Sequence, residues 1–121
     1  MRTIVIGLVC AIGFVGPLLA QQDDTIYKPG GDVSLPKVIK EVRPQYTGDA
    51  MRRRVSGAVL LRCVVDREGV PTDLEIVESL DEDLDRASRE ALQQWRFEPG
   101  KKNGKPVLVQ IEVKMAFVTK N

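Results

Sequence analysis

Apolar residues recur along this chain with two periods, and their alternation outlines a single domain. From Gly57 to Asp66 the chain reads as a strand, with Val59, Leu61, Cys63 and Val65 on one face. Ala58, Leu60 and Val64 make the other face mostly apolar too, the pattern of an interior strand covered on both sides. Asp66-Arg67-Glu68-Gly69 predicts a tight hairpin with Gly69 at the position that needs positive φ. The return strand, Val70 to Glu78, places Val70, Thr72, Leu74 and Ile76 on one face. The period then changes. Leu84, Ala87, Ala91, Leu92 and Trp95 fall on one helical stripe, and Asp81, Glu82, Asp83 and Asp85 crowd its N-terminal end, where the helix dipole favours carboxylates. Phe97-Glu98-Pro99-Gly100 ends that helix, and a turn region runs through Gly104 and Pro106. The last strand alternates cleanly: Val107, Val109, Ile111, Val113, Met115 and Phe117 point one way, and Gln110, Glu112 and Lys114 the other.

Upstream the signals are shorter. Lys37 to Arg43 is expected to be extended, because Pro36 and Pro44 bracket it and disfavour helix. Thr47 caps a predicted short helix through Arg54, stopped by Gly57. Gln21 to Leu35 is polar and aperiodic, with Pro29 and Gly30-Gly31, and is read as a flexible lead-in. Hairpin, helix and strand together predict an α+β domain over residues 36–121. Its sheet is small and antiparallel, of three to four strands, with one long and one short helix packed on one face. A crossover helix puts the last strand beside the central one, in the order second–first–last, and so makes the last strand an edge.

The first 20 residues have another character. Arg2 is followed by 18 residues, Thr3 to Ala20, without a charge, and Leu18-Leu19-Ala20 gives a small-residue exit. That order predicts a secretory signal peptide over residues 1–20, cleaved after Ala20, and a periplasmic mature protein with no membrane span. An uncleaved anchor is the alternative, at the short edge of the spanning range of roughly 17–25 residues. Cys10 has Leu8 and Val9 before it, not the small residue that lipid attachment needs.

Without Arg2 the 18 basic residues fall to 17, matching the 17 acidic ones. A neutral mature chain offers no electrostatic attraction for nucleic acid or an anionic membrane. The chain has no histidine, so the commonest general base and metal ligand is missing. Cys63 is the one cysteine after the leader and reads as a buried, inert thiol. Asp81, Asp83 and Asp85 have the spacing that opens a calcium loop, but Arg86 stands where glycine is needed and Leu92 where glutamate should bind. The run Arg52-Arg53-Arg54 is expected to be a solvated helix end. No enzymatic activity, cofactor or metal is expected.

Pro44-Gln45-Tyr46, Gly57-Ala58-Val59, Asp66-Arg67-Glu68-Gly69-Val70 and Gln94-Trp95-Arg96-Phe97-Glu98-Pro99-Gly100 stand in order ahead of the last strand. Over about Pro36 to Val118 the chain thus resembles the C-terminal domain of TonB proteins. The resemblance implies binding of an extended segment, the TonB box of an outer-membrane transporter or another extended peptide, as a strand added to the last-strand edge. The implied partner-binding residues are Val107, Val109, Gln110, Ile111, Glu112, Val113, Lys114 and Met115. Backbone groups would supply affinity, and Gln110, Glu112 and Lys114 either select the partner or merely keep the edge soluble. A structural role is the alternative, in which the same edge pairs with a second copy as a homodimer or with an envelope complex. An anchored miniature energy transducer is a third reading. Against it, residues 21–35 reach at most about 50 Å fully extended, and the chain shows neither the proline-rich spacer nor the membrane-helix histidine of that family.

Overall fold

A computed structural model describes residues 24–119; the expected signal peptide over 1–20 lies outside the described residues. The elements in chain order are β1 (Ile26–Tyr27), β2 (Lys37–Lys40), α1 (Gly48–Arg52), β3 (Gly57–Val65), β4 (Pro71–Glu78), α2 (Glu82–Gln93), β5 (Arg96–Glu98), β6 (Lys101–Lys102), β7 (Lys105–Pro106) and β8 (Leu108–Phe117). The main sheet has the order β1-β8-β3-β4, so the central hairpin and the last strand take the expected second–first–last arrangement. β3 is antiparallel to both neighbours. The fourth strand, β1, runs parallel to β8, which makes the sheet mixed.

β3 is central because both of its faces are apolar. Val59, Leu61, Cys63 and Val65 are fully buried, and Val64 on the opposite face is also buried. Leu84, Ala87, Ala91 and Leu92 of α2 are buried with them, and Trp95 and Phe97 follow directly after the helix. Asp81 caps α2, its carboxylate accepting from the N–H groups of Asp83 and Leu84 at 3.0 and 3.3 Å. The Arg53 guanidinium bonds the same carboxylate at 3.0 Å and Asp49 at 2.9 Å, tying the end of α1 to the start of α2. That bond, with those from the two backbone amides, holds the Asp81 carboxyl below its usual range. Its contribution to stability is present at neutral pH and is lost as pH falls through the lowered pKa. One arginine of the expected solvated run is therefore a bridge between helices.

Three local expectations are corrected. The short helix stops at Arg52, before Gly57: Arg54 adopts φ 57°, its N–H donates to the Met51 carbonyl, and Val55 N–H closes on Ala50 O. This is a left-handed helix terminus built on arginine where glycine is usual. Phe97-Glu98 does not only end the long helix, because β5 pairs antiparallel with β2, Lys37 opposite Glu98 and Val38 opposite Phe97. The lead-in is not uniformly free of structure. β1 pairs with β8, Val33 is buried, and Ser34 N–H donates to Lys101 O at 2.9 Å. Buried Val33 and half-buried Tyr27 supply the burial that the polar remainder cannot.

Gly69 holds the hairpin tip against the segment after α2. It has φ 85°, its carbonyl accepts from Phe97 N–H at 2.9 Å, and a Cβ there would sit 1.8 Å from the Phe97 carbonyl oxygen. Gly69→Ala combines a left-handed backbone with a backbone clash and is expected to cost about 2–4 kcal/mol in a denaturant melt. Burial raises the Cys63 thiol to about 11 from an ordinary 9.0. The folded state therefore keeps a proton that the unfolded chain releases, and stability falls as pH rises between those two values. Cys63→Ser is expected to destabilise by about 1–3 kcal/mol, because a buried hydroxyl there lacks a partner. A bulky thiol reagent at pH 8 should label the native protein only as fast as it unfolds.

Candidate functional site

β8 pairs with β3 through nine consecutive residues, from Val109 opposite Val65 to Phe117 opposite Gly57. Its side chains alternate as expected. Val109, Met115 and Phe117 are buried, Ile111 and Val113 are half-buried against the core, and Glu112, Lys114 and Ala116 are exposed. Backbone direction follows from the same alternation, because successive residues of a strand aim their N–H and C=O at opposite edges. The Val64 carbonyl accepts from Thr72 Oγ1, so even-numbered residues of β3 face β4 and odd-numbered ones face β8. In the β3–β8 register odd pairs with odd, and the Phe117 carbonyl accepts from Ser56 Oγ on that inner side. The outer edge of β8 therefore carries the backbone groups of Leu108, Gln110, Glu112, Lys114 and Ala116.

The expected free edge is shorter than the strand. β1 covers its beginning, with Ile26 opposite Leu108 and Tyr27 opposite Val109. Val107 precedes the strand, and its N–H donates to Gly100 O at 2.9 Å, so it belongs to a turn and not to the edge. Among the described residues the open stretch is Gln110 to Phe117. A groove of about 360 Å³ lies at its start, lined by Lys28, Pro29 and Leu35 on one side and Arg62, Gln110, Ile111 and Glu112 on the other. A second groove of about 360 Å³ runs beside its end, between Glu41, Arg43, Pro44, Tyr46 and Trp95 and the residues Lys114 to Val118.

The second groove is held open by specific bonds. Trp95 Nε1 donates to the Val42 carbonyl at 2.8 Å, and the Tyr46 hydroxyl donates to the Val55 carbonyl. The Tyr46 ring stands edge-on to Phe117, with centroids 5.4 Å apart. Residues 41–46 are thus fixed alongside β8 without hydrogen-bonding to it as a strand. Pro44-Gln45-Tyr46 is visible as a motif in the sequence, but its place beside the last strand is not, because no periodic signal connects them. Beyond it, Tyr46, Met51, Arg54, Val118 and Thr119 line a third hollow of about 450 Å³.

Charge on the open face is paired across strands. Arg62 bonds Glu75 of β4 at 2.8 Å and Glu112 of β8 at 3.4 Å. Glu112 is thus part of a three-strand ladder, whereas Lys114 is exposed beside the second groove. Among the described residues no group of three or more His, Cys, Asp or Glu side chains could hold a metal ion. Nor is any described helix long and apolar enough to cross a membrane.

Residues 42–119 match the family described as Gram-negative bacterial TonB protein C-terminal. The chain is 31% identical over 81 residues to Protein TonB of Vibrio cholerae serotype O1, covering 66% of this chain and 33% of that protein. It is 40% identical over 63 residues to Protein tonB2 of Pseudomonas aeruginosa, covering 51% of this chain and 23% of that one. This chain therefore spans about a third or less of the length of these relatives. The solution structure of the Pseudomonas aeruginosa TonB C-terminal domain superposes with a TM-score of 0.61 at 28% identity, covering 76% of this chain and 91% of that one. With the match over residues 42–119 and the shared α+β fold, this chain belongs to the TonB C-terminal family.

Proposed function

We propose that this protein is a non-enzymatic binding module of the periplasm that takes an extended segment of an outer-membrane transporter, or of another envelope protein, as an added strand on β8. The observation that carries the reading is the regular outer edge from Gln110 to Phe117. It follows an unbroken ladder, contains no proline, and has a groove at either end. Outward N–H and C=O groups of Gln110, Glu112, Lys114 and Ala116 are the donors and acceptors that strand addition uses. Affinity then comes from backbone, and the neighbouring side chains tune it. Family membership supports a protein partner. Export rests on the charge, apolar run and small-residue exit of residues 1–20.

Two measurements test this. Proline at Glu112 removes an outward donor while leaving the inward ladder to β3 its own bonds, so Glu112→Pro should weaken capture of a TonB-box peptide at least tenfold, or about 1.4 kcal/mol. Lys114→Glu should change affinity severalfold without abolishing it. Circular dichroism must show both variants folded. A folded Glu112→Pro protein with unchanged affinity would move the site to the outer edge of β4. Intact-mass analysis of exported protein should give a chain beginning near Gln21 that is recovered without detergent. Full-length chain retained in salt-washed membranes would overturn that part.

A further inference from the structure

The first two residues of the β8 edge are already taken by the chain itself, through contacts that resemble recognition more than core packing. β1 runs parallel to β8 and contributes only Ile26 and Tyr27 to the ladder. The Asp24 carboxylate lies 3.6 Å from the Arg67 guanidinium at the hairpin tip, and the Lys102 ammonium sits 4.8 Å over the Tyr27 ring. Ile26 is half-exposed. Pro29, which has no N–H, ends the pairing, and the turn from Gly30 to Val33 carries the chain away to where Val33 is buried. β1 is therefore tethered at its C-terminal side by a buried anchor, while its ladder with β8 is two residues long. The ion pair is largely exposed on its Asp24 side and the cation–π contact is half-buried, each a modest contribution, so the two-residue ladder is open to displacement by a longer strand. Residues 24–41 precede the stretch that the family model matches.

We propose that residues 24–29 are an internal occupant of the partner edge, a built-in competitor that an incoming strand displaces when it extends back to Leu108. The proposal rests on the strand-addition reading above and adds the partner's chemistry. The displacing segment runs parallel to β8, offers a carboxylate to Arg67, and offers an apolar pair ending in an aromatic ring to Lys102. A short tether keeps the internal strand at high local concentration, so its presence lowers the apparent affinity of any such segment for the resting protein.

The test uses the full mature chain and a synthetic peptide of residues 24–29, titrated while the backbone amides are followed by NMR. In Ile26→Pro, which removes a backbone donor from a half-exposed position, the peptide should shift the Leu108 and Gln110 amides. Its apparent affinity there should be about tenfold tighter than in the unaltered protein. Adding Arg67→Ala should take back roughly a twofold to fivefold part of that gain, the scale of one exposed ion pair. Tyr27→Ala, which leaves the backbone intact, should give a smaller gain of the same sign and serves if the proline variant loses its dispersed spectrum. Equal affinity for unaltered and altered proteins, or no shift at Leu108 in any of them, would overturn the internal occupant. Binding of equal strength confined to Gln110–Ala116 would do so while leaving strand addition standing. Strand addition itself falls only if Glu112→Pro leaves capture of the TonB-box peptide unchanged.

Discussion

Four residues after the long helix, Trp95 to Glu98, bind together parts of the chain that share no periodic pattern. Trp95 gives its indole N–H to the Val42 carbonyl, Phe97 gives its backbone N–H to Gly69, and Arg96–Glu98 forms a ladder with Lys37–Lys40. The first bond sets the wall of the groove beside Lys114–Val118. The second seats the β3–β4 hairpin tip against the end of α2. The third brings in the chain segment that leads to that wall. Each rests on a buried aromatic side chain, and Trp95 and Phe97 have ring centroids 6.0 Å apart. A buried indole N–H without an acceptor is costly, so Val42 cannot drift from Trp95 without a penalty. The position of the 41–46 segment is thus enforced by the core.

The elements with strong periods were legible in the sequence. β3, β4, α2 and β8 each carry enough alternating or helical apolar positions to declare a face, and Gly69 declares its turn. The α+β class and the spatial order of three strands follow from those four elements. What the sequence did not reveal are the pairings of two and three residues. Ile26–Tyr27 and Arg96–Glu98 are too short for any period, and both are stabilised by partners far away in the chain. Arg54 misled for a related reason. Its left-handed conformation is imposed by the closing hydrogen bonds of Val55 and Arg54 on the helix, whereas the composition there suggests another turn of helix.

The candidate edge shows the same division. Alternation along Val109 to Phe117 states which side chains face the core, and hence which backbone groups face outward once one neighbouring strand is known. It says nothing about whether the outward side is already covered. That depends on Pro29 and the following turn, which stop β1 after two residues, and on Val33, whose burial fixes where β1 must lie. Ile26-Tyr27 and Val33, apolar residues in a mostly polar stretch, are the trace of this in the sequence. The motif Pro44-Gln45-Tyr46 likewise reads as family resemblance until the Tyr46 ring is placed against Phe117.

The opposite margin of the main sheet is built differently. On β4, Asp73 adopts φ 52°, the pairing with β3 slips between Arg62 and Val64, and acidic Glu75 and Glu78 border the strand. Bends and charges of this kind discourage another chain from joining. On the proposed reading one margin of the sheet receives a strand while the other discourages it, so the valency for lateral pairing through this sheet is one. Two copies meeting through β8 would consume each other's receptive margin and stop at a pair, so growth into a fibre along this sheet has no second face to continue from.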